Sequence, residues 1–254
     1  MARIIAMCNA KGGVGKTTSA TSLSAFMAAM GKYVLLVDLD PQANATTGAG
    51  IKLDPDHPSL YHAMINDHNP ELLLKRTSVF GFDVLPASQA LAGANVELVE
   101  MDYRETRLKK VLNSIRTNYD YILIDCPPSL GLLTVNGLAA AEEVIIPVQC
   151  EYYALEGLGQ LMKTIELVRS GLNPDLQIMG VLLTMYDKRN HLARQVVNEV
   201  SKNFPGRVFE AIIPRTISLA EAPSYGKTIL QFDPDSKAAK AYKQLAEEII
   251  KLTK

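Results

Sequence analysis

Residues 11–18, which read Lys-Gly-Gly-Val-Gly-Lys-Thr-Thr, have the composition of a loop that binds phosphate groups. They follow an apolar stretch, residues 4–7, and lead into a helix-compatible stretch, residues 16–30. Glycines let the backbone N–H groups of such a loop point inward, and a helix start adds partial positive charge beside the phosphate oxygens. Lys16 can reach the β- and γ-phosphates, and the Thr17 hydroxyl can bind Mg²⁺. The sequence therefore predicts a nucleotide-binding site.

This loop departs from the generic phosphate-binding pattern G-x-x-x-x-G-K-[ST] at the first position. The pattern requires glycine at position 10, where this chain has Ala10, and a second lysine, Lys11, stands five residues before Lys16. A glycine-rich turn between a strand and a helix also occurs as a simple tight connection. The Gly-Lys-Thr-Thr ending favours the nucleotide site. The residues expected to contact the nucleotide in this loop are Gly12, Gly13, Val14, Gly15, Lys16, Thr17 and Thr18.

Three aspartates supply the acidic groups that phosphoryl transfer with a metal ion requires. Asp125 comes directly after the apolar residues 121–124, so it is expected at the Mg²⁺ site. Asp38 and Asp40 follow another apolar stretch, residues 33–37. We assign Asp38 to the outer shell of the metal and Asp40 to orienting or activating the attacking water. The alternatives are a solvated strand-end role for Asp125 and a helix-capping role for Asp40.

Composition and charge limit the classes of protein that this chain can be. The 254 residues carry a formal net charge of −1, so the molecule as a whole is not a basic nucleic-acid binder and any such contact must come from a local patch. Three cysteines without a C-x-x-C pair are expected to be reduced, mostly buried thiols of a cytosolic protein. No secretory signal or apolar run of about 18 residues is present, so we expect neither export nor a membrane span.

Apolar runs alternate with stretches of helical period, which predicts an α/β fold with a mainly parallel sheet. The continuous apolar runs indicate strands covered by helices on both faces. The predicted strands are residues 4–8, 33–37, 83–85, 121–124, 144–147, 178–184 and 207–212. The predicted helices are residues 16–30, 105–116, 155–170, 192–203 and 236–252. Residues 49–82 contain several prolines and are expected to form loops and short helices.

Together these residues resemble the deviant Walker A ATPases, the group of the ParA/Soj partition proteins, MinD and the nitrogenase iron protein. The resemblance spans nearly the whole chain and is strongest for chromosomal Soj-type ParA proteins. The segments that carry it are residues 11–18, 38–42, 125–131, 147–157, 213–215 and 221–224. It implies one P-loop NTPase domain, residues 1–254, with a twisted sheet flanked by helices on both faces. With the first predicted strand near residue 3, no N-terminal helix-turn-helix module is expected.

The resemblance also implies roles for residues beyond the loop. In this family the lysine that corresponds to Lys11 crosses a dimer interface to contact phosphate on the other subunit, like an arginine finger supplied in trans. The catalytic set is then Lys11, Lys16 and Asp40, and Lys11 joins the nucleotide contacts. Pro214, Arg215 and Thr216 are expected near the adenine. ATP and Mg²⁺ are the expected cofactors.

A DNA-binding surface is the third implication of the resemblance. Residues 185–230 contain seven basic and four acidic residues, a net charge of +3. Lys188, Arg189 and Arg215 are the predicted contacts to double-stranded DNA of any sequence. The expected partners are this DNA, a ParB-type centromere-binding protein and a second copy of the chain in an ATP-dependent homodimer. The expected location is cytoplasmic and nucleoid-associated, with no membrane contact.

Two other functions share the fold. A MinD-like membrane-placement ATPase would need a short amphipathic C-terminal tail, but residues 238–252 carry an apolar stripe at helical spacing that is expected to dock on the sheet. A metabolic enzyme, either a cluster-bearing reductase or an ATP-dependent ligase, is the other alternative. The reductase requires paired cysteines, and Cys8, Cys126 and Cys150 lack ligand spacing.

Overall fold

A seven-stranded sheet forms the centre of the computed structural model, which describes residues 1–54, 57–151 and 156–253. The strands are β1 (Arg3–Met7), β2 (Val34–Asp38), β3 (Lys75–Arg76), β4 (Phe82–Leu85), β5 (Tyr121–Asp125), β6 (Glu143–Gln149) and β7 (Gln177–Thr184). Their order across the sheet is β3-β4-β2-β5-β1-β6-β7. All neighbours pair in parallel except the two-residue edge strand β3, which runs antiparallel to β4.

Helices cover both faces of this sheet. They are α1 (Lys16–Ala29), α2 (Asn44–Gly48), α3 (Leu60–Ile65), α4 (Leu91–Glu97), α5 (Arg107–Ile115), α6 (Leu132–Ala140), α7 (Glu156–Gly171), α8 (His191–Asn203), α9 (Ile217–Glu221), α10 (Ile229–Phe232) and α11 (Lys237–Leu252). One core packs α1 and α11 on the sheet, and the other packs α3 to α8 on the opposite face.

The central strands are buried on both faces, as their uninterrupted apolar sequences predict. In β1, Ile4 and Ala6 enter one core while Ile5 and Met7 enter the other, because successive side chains of a strand point to opposite faces. The α/β fold with a mainly parallel, doubly covered sheet is therefore confirmed.

The C-terminal helix α11 docks on α1. Tyr242 is 1% exposed and its hydroxyl shares a 3.0 Å hydrogen bond with the Ser19 hydroxyl. Leu245 and Ile249 of the same helix are fully buried. The apolar stripe predicted over residues 238–252 thus packs inward, apart from Leu252, which is 38% exposed.

One predicted strand is wrong. Residues 207–212 follow the edge of β7 without forming a strand, and Val208 makes only an isolated parallel bridge to Val181. Two hydrogen bonds, from Val181 N to the Arg207 carbonyl and from Phe209 N to the Val181 carbonyl, hold the segment there. The ladder is interrupted after Phe209, because the Glu210 N–H donates to the Glu248 carboxylate at 3.1 Å, and the next bond to β7 is made only by the Ile213 N–H, to the Leu183 carbonyl.

Five helices among the described residues were not predicted, namely α2, α4, α6, α9 and α10, and α6 is the longest of them. Its sequence contains Thr134, Val135 and Gly137, which all have lower helix propensity than alanine. Tertiary packing overrides that propensity, since a Cβ atom at Gly137 would lie 2.8 Å from Cys126 Sγ and 3.2 Å from Leu39 Cδ2. The glycine lets α6 approach the strand ends at that point.

The remaining predicted elements agree with the structure to within a few residues. The short helix α3 and the 3₁₀ turn Pro70–Leu73 lie within residues 49–82, where loops and short helices were expected. All three cysteines are buried and unpaired, as predicted. Leu155, the first residue of one predicted helix, lies outside the described residues. Within the described part of the chain, every helix is too short or too polar to span a bilayer.

A close backbone contact joins the segment after α2 to the turn before α10. Gly50 has a φ angle of +83°, and a Cβ atom there would lie 2.7 Å from the Gly226 carbonyl oxygen. Gly31, after α1, has a similar φ of +81°, but a Cβ atom there would meet no atom within 4 Å. Both glycines therefore need a left-handed backbone conformation, but only Gly50 also packs closely against another part of the backbone.

We expect Gly31→Ala to lower the free energy of unfolding by about 1–2 kcal/mol, the cost of a left-handed conformation in a residue with Cβ. Gly50→Ala should cost about 1–3 kcal/mol more, because its Cβ also displaces the backbone at Gly226. Urea denaturation of both variants and the wild type measures the difference. Equal costs for the two variants would contradict the assigned contact.

Candidate functional site

The three predicted acidic and phosphate-binding segments meet where three neighbouring strands end. β1 lies beside β5, and β5 lies beside β2, so Met7 pairs with Asp125 and Asp125 pairs with Asp38. The loop from Cys8 to Gly15 connects β1 to α1 at this same edge. Carboxyl ends of parallel strands are where α/β proteins place ligands. The sheet order thus brings together residues that are more than 100 positions apart.

Two side chains brace the glycine-rich loop. Asn9 donates a 2.7 Å hydrogen bond to the Pro147 carbonyl and accepts one of 3.0 Å from the Lys11 N–H. On the other side, the buried Thr184 hydroxyl donates to the Val14 carbonyl at 2.8 Å. The loop is therefore tied to the ends of β6 and β7.

The glycines of the loop adopt conformations that favour glycine. Gly13 and Gly15 have φ angles of 72° and 88°. A Cβ atom at Gly13 would meet nothing within 4 Å, so backbone geometry alone accounts for that residue. Gly15 immediately precedes α1, which begins at Lys16. The N–H groups of the helix start therefore lie beside the loop, as the phosphate-binding prediction requires.

Lys16 is almost entirely buried, at 6% exposure. Its ammonium donates a 3.0 Å hydrogen bond to the Lys11 carbonyl. Burial lowers the pKa of Lys16, while the carboxylates of Asp125 and Asp40 act in the opposite direction. A buried cation beside the N–H groups of a helix start is suited to an anionic ligand.

Asp38 is fully buried and its carboxylate is fully engaged. One oxygen accepts 2.7 Å hydrogen bonds from both the N–H and the hydroxyl of Thr46, and the other accepts the Asp40 N–H at 3.2 Å. Burial raises the pKa of Asp38 to about 6, and the hydrogen bonds from Thr46 limit that rise. The carboxylate is thus held in one orientation.

Asp125 is equally buried, but neither of its carboxylate oxygens has a hydrogen-bonding partner among the described residues. Burial and the neighbouring Asp38 raise its pKa well above the usual range, and the nearby Thr17 and Lys16 oppose that rise. A native protein rarely leaves such a group without a partner. The unsatisfied oxygens, with a threonine hydroxyl close by, fit a divalent cation that prefers oxygen ligands.

Asp40 lies at the edge of the site and is 9% exposed. Its carboxylate accepts the Gln42 N–H at 3.0 Å, and its carbonyl accepts the Ala43 N–H at 2.9 Å. The carboxylate thus caps a turn, whereas α2 begins two residues beyond Gln42, at Asn44. One carboxylate oxygen of Asp40 takes part in the turn while the side chain still lines the cavity.

A cavity of about 620 Å³ opens over this edge of the sheet. Its walls come from the loop, α1, α2 and the segment around α9 and α10. The predicted residues that line it are Gly13, Gly15, Lys16, Thr17, Thr18 and Asp40. Its volume is within the range of ligand pockets. Asp38 and Asp125 lie at the neighbouring strand ends without lining it.

Several lining residues were not predicted. Thr21 lies one helical turn after Thr17, so the periodicity of α1 could have indicated it. Pro223 also lines the cavity and belongs to the segment 221–224 that carries the family resemblance, although no site role was predicted for it. Asn44 and Lys227 line the cavity only because the chain folds back, and local sequence has no signal for them.

The predicted adenine residues are not among the described residues of the cavity wall. Arg215 N–H donates to the Tyr186 carbonyl at 3.0 Å, and the Thr216 hydroxyl accepts the Leu219 N–H at 3.4 Å. Met185, next to Tyr186, does line the cavity. Pro214, Arg215 and Thr216 are therefore close in sequence and space to that wall without lining it, and their contact with adenine stays a prediction.

The predicted DNA-contacting arginines each face a carboxylate. Arg189, whose side chain is 85% exposed, pairs with Asp187 at 2.8 Å, and this pairing lowers the pKa of Asp187 to about 2. Arg215 pairs with Glu151 at 3.0 Å. Lys188 is exposed. The structure thus places these residues at the surface but gives both arginines a partner within the chain.

Known proteins are similar to this chain over most of its length. The family model described as an AAA domain matches residues 2–178. The sporulation initiation inhibitor protein Soj of Bacillus subtilis is 53% identical over 249 residues, which cover 98% of each chain. The chromosome partitioning protein ParA of Myxococcus xanthus is also 53% identical, over 98% of this chain and 88% of its own.

Solved structures share the fold. Cobyrinic acid a,c-diamide synthase from Mycobacterium smegmatis with bound ADP and magnesium has a TM-score of 0.86 at 40% identity, covering 98% of this chain and 94% of that one. The cell division ATPase MinD of Pyrococcus furiosus has a TM-score of 0.78 at 29% identity, covering 99% and 100%. These likenesses confirm the P-loop fold predicted from the sequence.

We expect Lys16→Met to weaken ADP binding at least tenfold. A hydrogen bond from a charged donor is worth about 1.5–3 kcal/mol, and methionine keeps the length of the side chain without the ammonium. Titration with a fluorescent ADP analogue measures the affinity. Lys109→Met, which removes an exposed lysine on α5, is the matched control and should bind like the wild type. Unchanged affinity in Lys16→Met would contradict the assignment of the loop.

Proposed function

The chain belongs to the AAA-domain family and, within it, to the Soj and ParA chromosome-partitioning ATPases, and on that premise we propose that ATP closes two copies into a DNA-binding dimer. Slow hydrolysis, stimulated by a ParB-type centromere-binding partner, then opens the dimer and releases the DNA. The observation that supports this cycle is the 53% identity to Soj over 98% of the chain. The DNA is double-stranded and of any sequence, so the protein would associate with the nucleoid in the cytoplasm.

The position of Lys11 supports the dimer. Its backbone is fixed, because its N–H donates to Asn9 and its carbonyl accepts from Lys16. Its side chain is only partly buried and is not among the residues that line the cavity of its own subunit. A lysine whose backbone is anchored in the loop and which does not line its own cavity is suited to contact phosphate in a second subunit.

In the proposed reaction, residues of one chain divide the work between binding and hydrolysis. The loop residues Gly12 to Thr18 bind the phosphates, and Lys16 neutralises charge on the β- and γ-phosphates. Asp40 orients the attacking water from the edge of the cavity. Pro214, Arg215 and Thr216 are the proposed contacts to the adenine.

The metal site is proposed from the same geometry. Thr17, Asp38 and Asp125 would hold Mg²⁺, Asp38 through the water shell. When bound, Mg²⁺ would neutralise phosphate charge. The unpartnered oxygens of Asp125 and the fixed carboxylate of Asp38 support this assignment.

Lys188, Arg189 and Arg215 are the proposed DNA contacts. DNA phosphate would have to compete with Asp187 for Arg189 and with Glu151 for Arg215. Exposed ion pairs contribute little stability, so that exchange costs little. A dimer doubles the number of contacts, and affinity for DNA should fall steeply with salt.

The MinD-like alternative receives less support from the structure. Its membrane tail would need an apolar face that is free, whereas Tyr242, Leu245 and Ile249 of α11 are buried against α1 and the sheet. Co-sedimentation with anionic liposomes in the presence of ATP separates the two functions, because only the MinD-like protein would pellet with lipid.

A metabolic alternative arises from the likeness to the M. smegmatis diamide synthase at 40% identity. The partitioning role is favoured because the identity to Soj and ParA is higher, at 53%. ATPase assays distinguish them. Stimulation by duplex DNA with a ParB-type protein supports partitioning, and stimulation by cobyrinic acid with an amide donor supports the synthase.

We expect Asp40→Ala to remain bound to DNA in the presence of ATP and Mg²⁺, because the variant binds nucleotide but cannot orient the water. Lys16→Ala should show no nucleotide-dependent DNA binding. Retention on immobilised duplex DNA with ATP, with ADP and without nucleotide measures both effects. Equal retention of the wild type in all three states would rule out an ATP-controlled switch.

We expect Arg189→Ala to reduce the slope of log affinity for DNA against log salt by about 2, since a dimer loses two phosphate contacts. Asp187→Asn should strengthen binding, because it frees Arg189 from its carboxylate. Glu199→Gln is the matched control: it removes an exposed negative charge whose carboxylate accepts from Asn203 and, among the described residues, from no arginine. If Asp187→Asn and Glu199→Gln act alike, the effect is only one of net charge.

A further inference from the structure

The hydrogen bonds of Asp38 originate mainly from one residue, Thr46. Of the three donors that reach the carboxylate, Thr46 supplies two, its N–H and its hydroxyl, each at 2.7 Å. The third donor is the Asp40 N–H at 3.2 Å. Thr46 is 2% exposed, so water does not replace it readily. The orientation of the Asp38 carboxylate therefore depends on this threonine.

The direction of the Thr46 hydroxyl hydrogen bond is determined by a second contact. The Ala87 N–H, in the loop after β4, donates to the Thr46 hydroxyl oxygen at 3.1 Å. An N–H can only donate, so the single hydroxyl proton is left for Asp38. Two successive hydrogen bonds, from the Ala87 N–H to the Thr46 hydroxyl and from that hydroxyl to the Asp38 carboxylate, therefore link the end of β4 to the end of β2 through α2.

Thr46 is on the helix that also forms part of the cavity wall. Asn44, Thr47 and Gly48 of α2 line the cavity, whereas Thr46 contacts Asp38 behind it. The helix is only five residues long and follows Ala43, whose φ of 53° is uncommon for a residue with a Cβ atom. A helix of five residues that follows a residue with positive φ needs tertiary contacts to be stable.

We propose that Thr46 is the positioning residue for Asp38: its hydroxyl fixes the carboxylate for the Mg²⁺ water shell and holds α2 against the sheet. This inference rests on the proposed metal role of Asp38. Residues that orient the ligands of a metal commonly change its affinity when they are replaced. Loss of the hydroxyl removes one donor from Asp38 and leaves the Ala87 N–H without an acceptor.

The test measures how much Mg²⁺ strengthens ADP binding, without relying on hydrolysis. In Thr46→Val, which keeps the shape of the side chain, the Mg²⁺ concentration for half-maximal effect should rise about tenfold. ADP binding without Mg²⁺ should change little. Thr46→Ser keeps the hydroxyl and should restore the wild-type Mg²⁺ dependence. Titration with fluorescent ADP at fixed Mg²⁺ concentrations and the shift in melting temperature on adding Mg²⁺ to the ADP complex give independent readouts.

A matched control and a double mutant separate positioning from general destabilisation. Thr77→Val removes a hydroxyl that donates to Phe82 O at 2.8 Å and accepts from Val79 N at 3.1 Å, in a turn outside the cavity. It should leave the Mg²⁺ dependence unchanged even if the melting temperature falls. If Thr46 acts through Asp38, Thr46→Val should have no further effect on Mg²⁺ dependence in an Asp38→Asn background.

Three outcomes would overturn the inference: wild-type Mg²⁺ dependence in Thr46→Val, loss of that dependence in Thr46→Ser, or additive effects in the double mutant. Thr46→Ala replaces Thr46→Val if the valine variant does not fold, since it removes the same hydroxyl with a smaller side chain. If the wild type itself binds ADP without any Mg²⁺ dependence, the proposed metal site fails. That result is distinguishable from a failure of Thr46 alone.

Discussion

The burial of charge at the ends of β1, β2 and β5 is the constraint on which the rest of the site depends. Asp38 and Asp125 are fully buried in register on neighbouring strands, and the Lys16 ammonium lies beside them almost without solvent. Charges in such a place require partners. Asp38 obtains its donors from Thr46 and Asp40, while Asp125 has none among the described residues. A bound cation would supply the partner that the Asp125 carboxylate lacks, and phosphate groups would pair with the Lys16 ammonium.

Hydrogen bonds and backbone contacts connect the phosphate site to Lys11, which is proposed to contact the second subunit, and to the walls of the cavity. Lys16, the first residue of α1, is joined to Lys11 of the loop by the hydrogen bond from its ammonium to the Lys11 carbonyl. Asp38 contacts α2, and the segment after α2 contacts the turn at Gly226. Groups at the phosphate end, at Asp40 and at the far wall of the cavity are thus joined by short polar and backbone contacts. Such contacts would give the proposed control of dimerisation by nucleotide a physical basis.

The sequence predicted the sheet and its central strands well because the physical signal was local. Continuous apolar runs such as residues 121–124 require burial on both faces, and a parallel sheet covered by helices provides it. The sequence-based prediction of secondary structure failed where local propensity and tertiary packing favour different structures. Helix α6 contains weak helix formers and persists because Gly137 packs against Cys126 and Leu39. Residues 207–212 have strand-like composition but make only an isolated bridge to β7.

The same division holds for the site. The sequence by itself identified the glycine-rich loop, Lys16 and the three aspartates as the candidate site, because glycine, lysine and carboxylate at those spacings have few other uses after apolar strands. Only the tertiary structure decided that the Asp38 carboxylate accepts hydrogen bonds while the Asp125 carboxylate has no partner among the described residues. It also paired Arg189 with Asp187 and placed Met185 on the cavity wall instead of Pro214. Hydrogen bonds such as Thr46 to Asp38 depend on how the chain folds back over the strand ends, and spacing along the sequence does not specify that geometry.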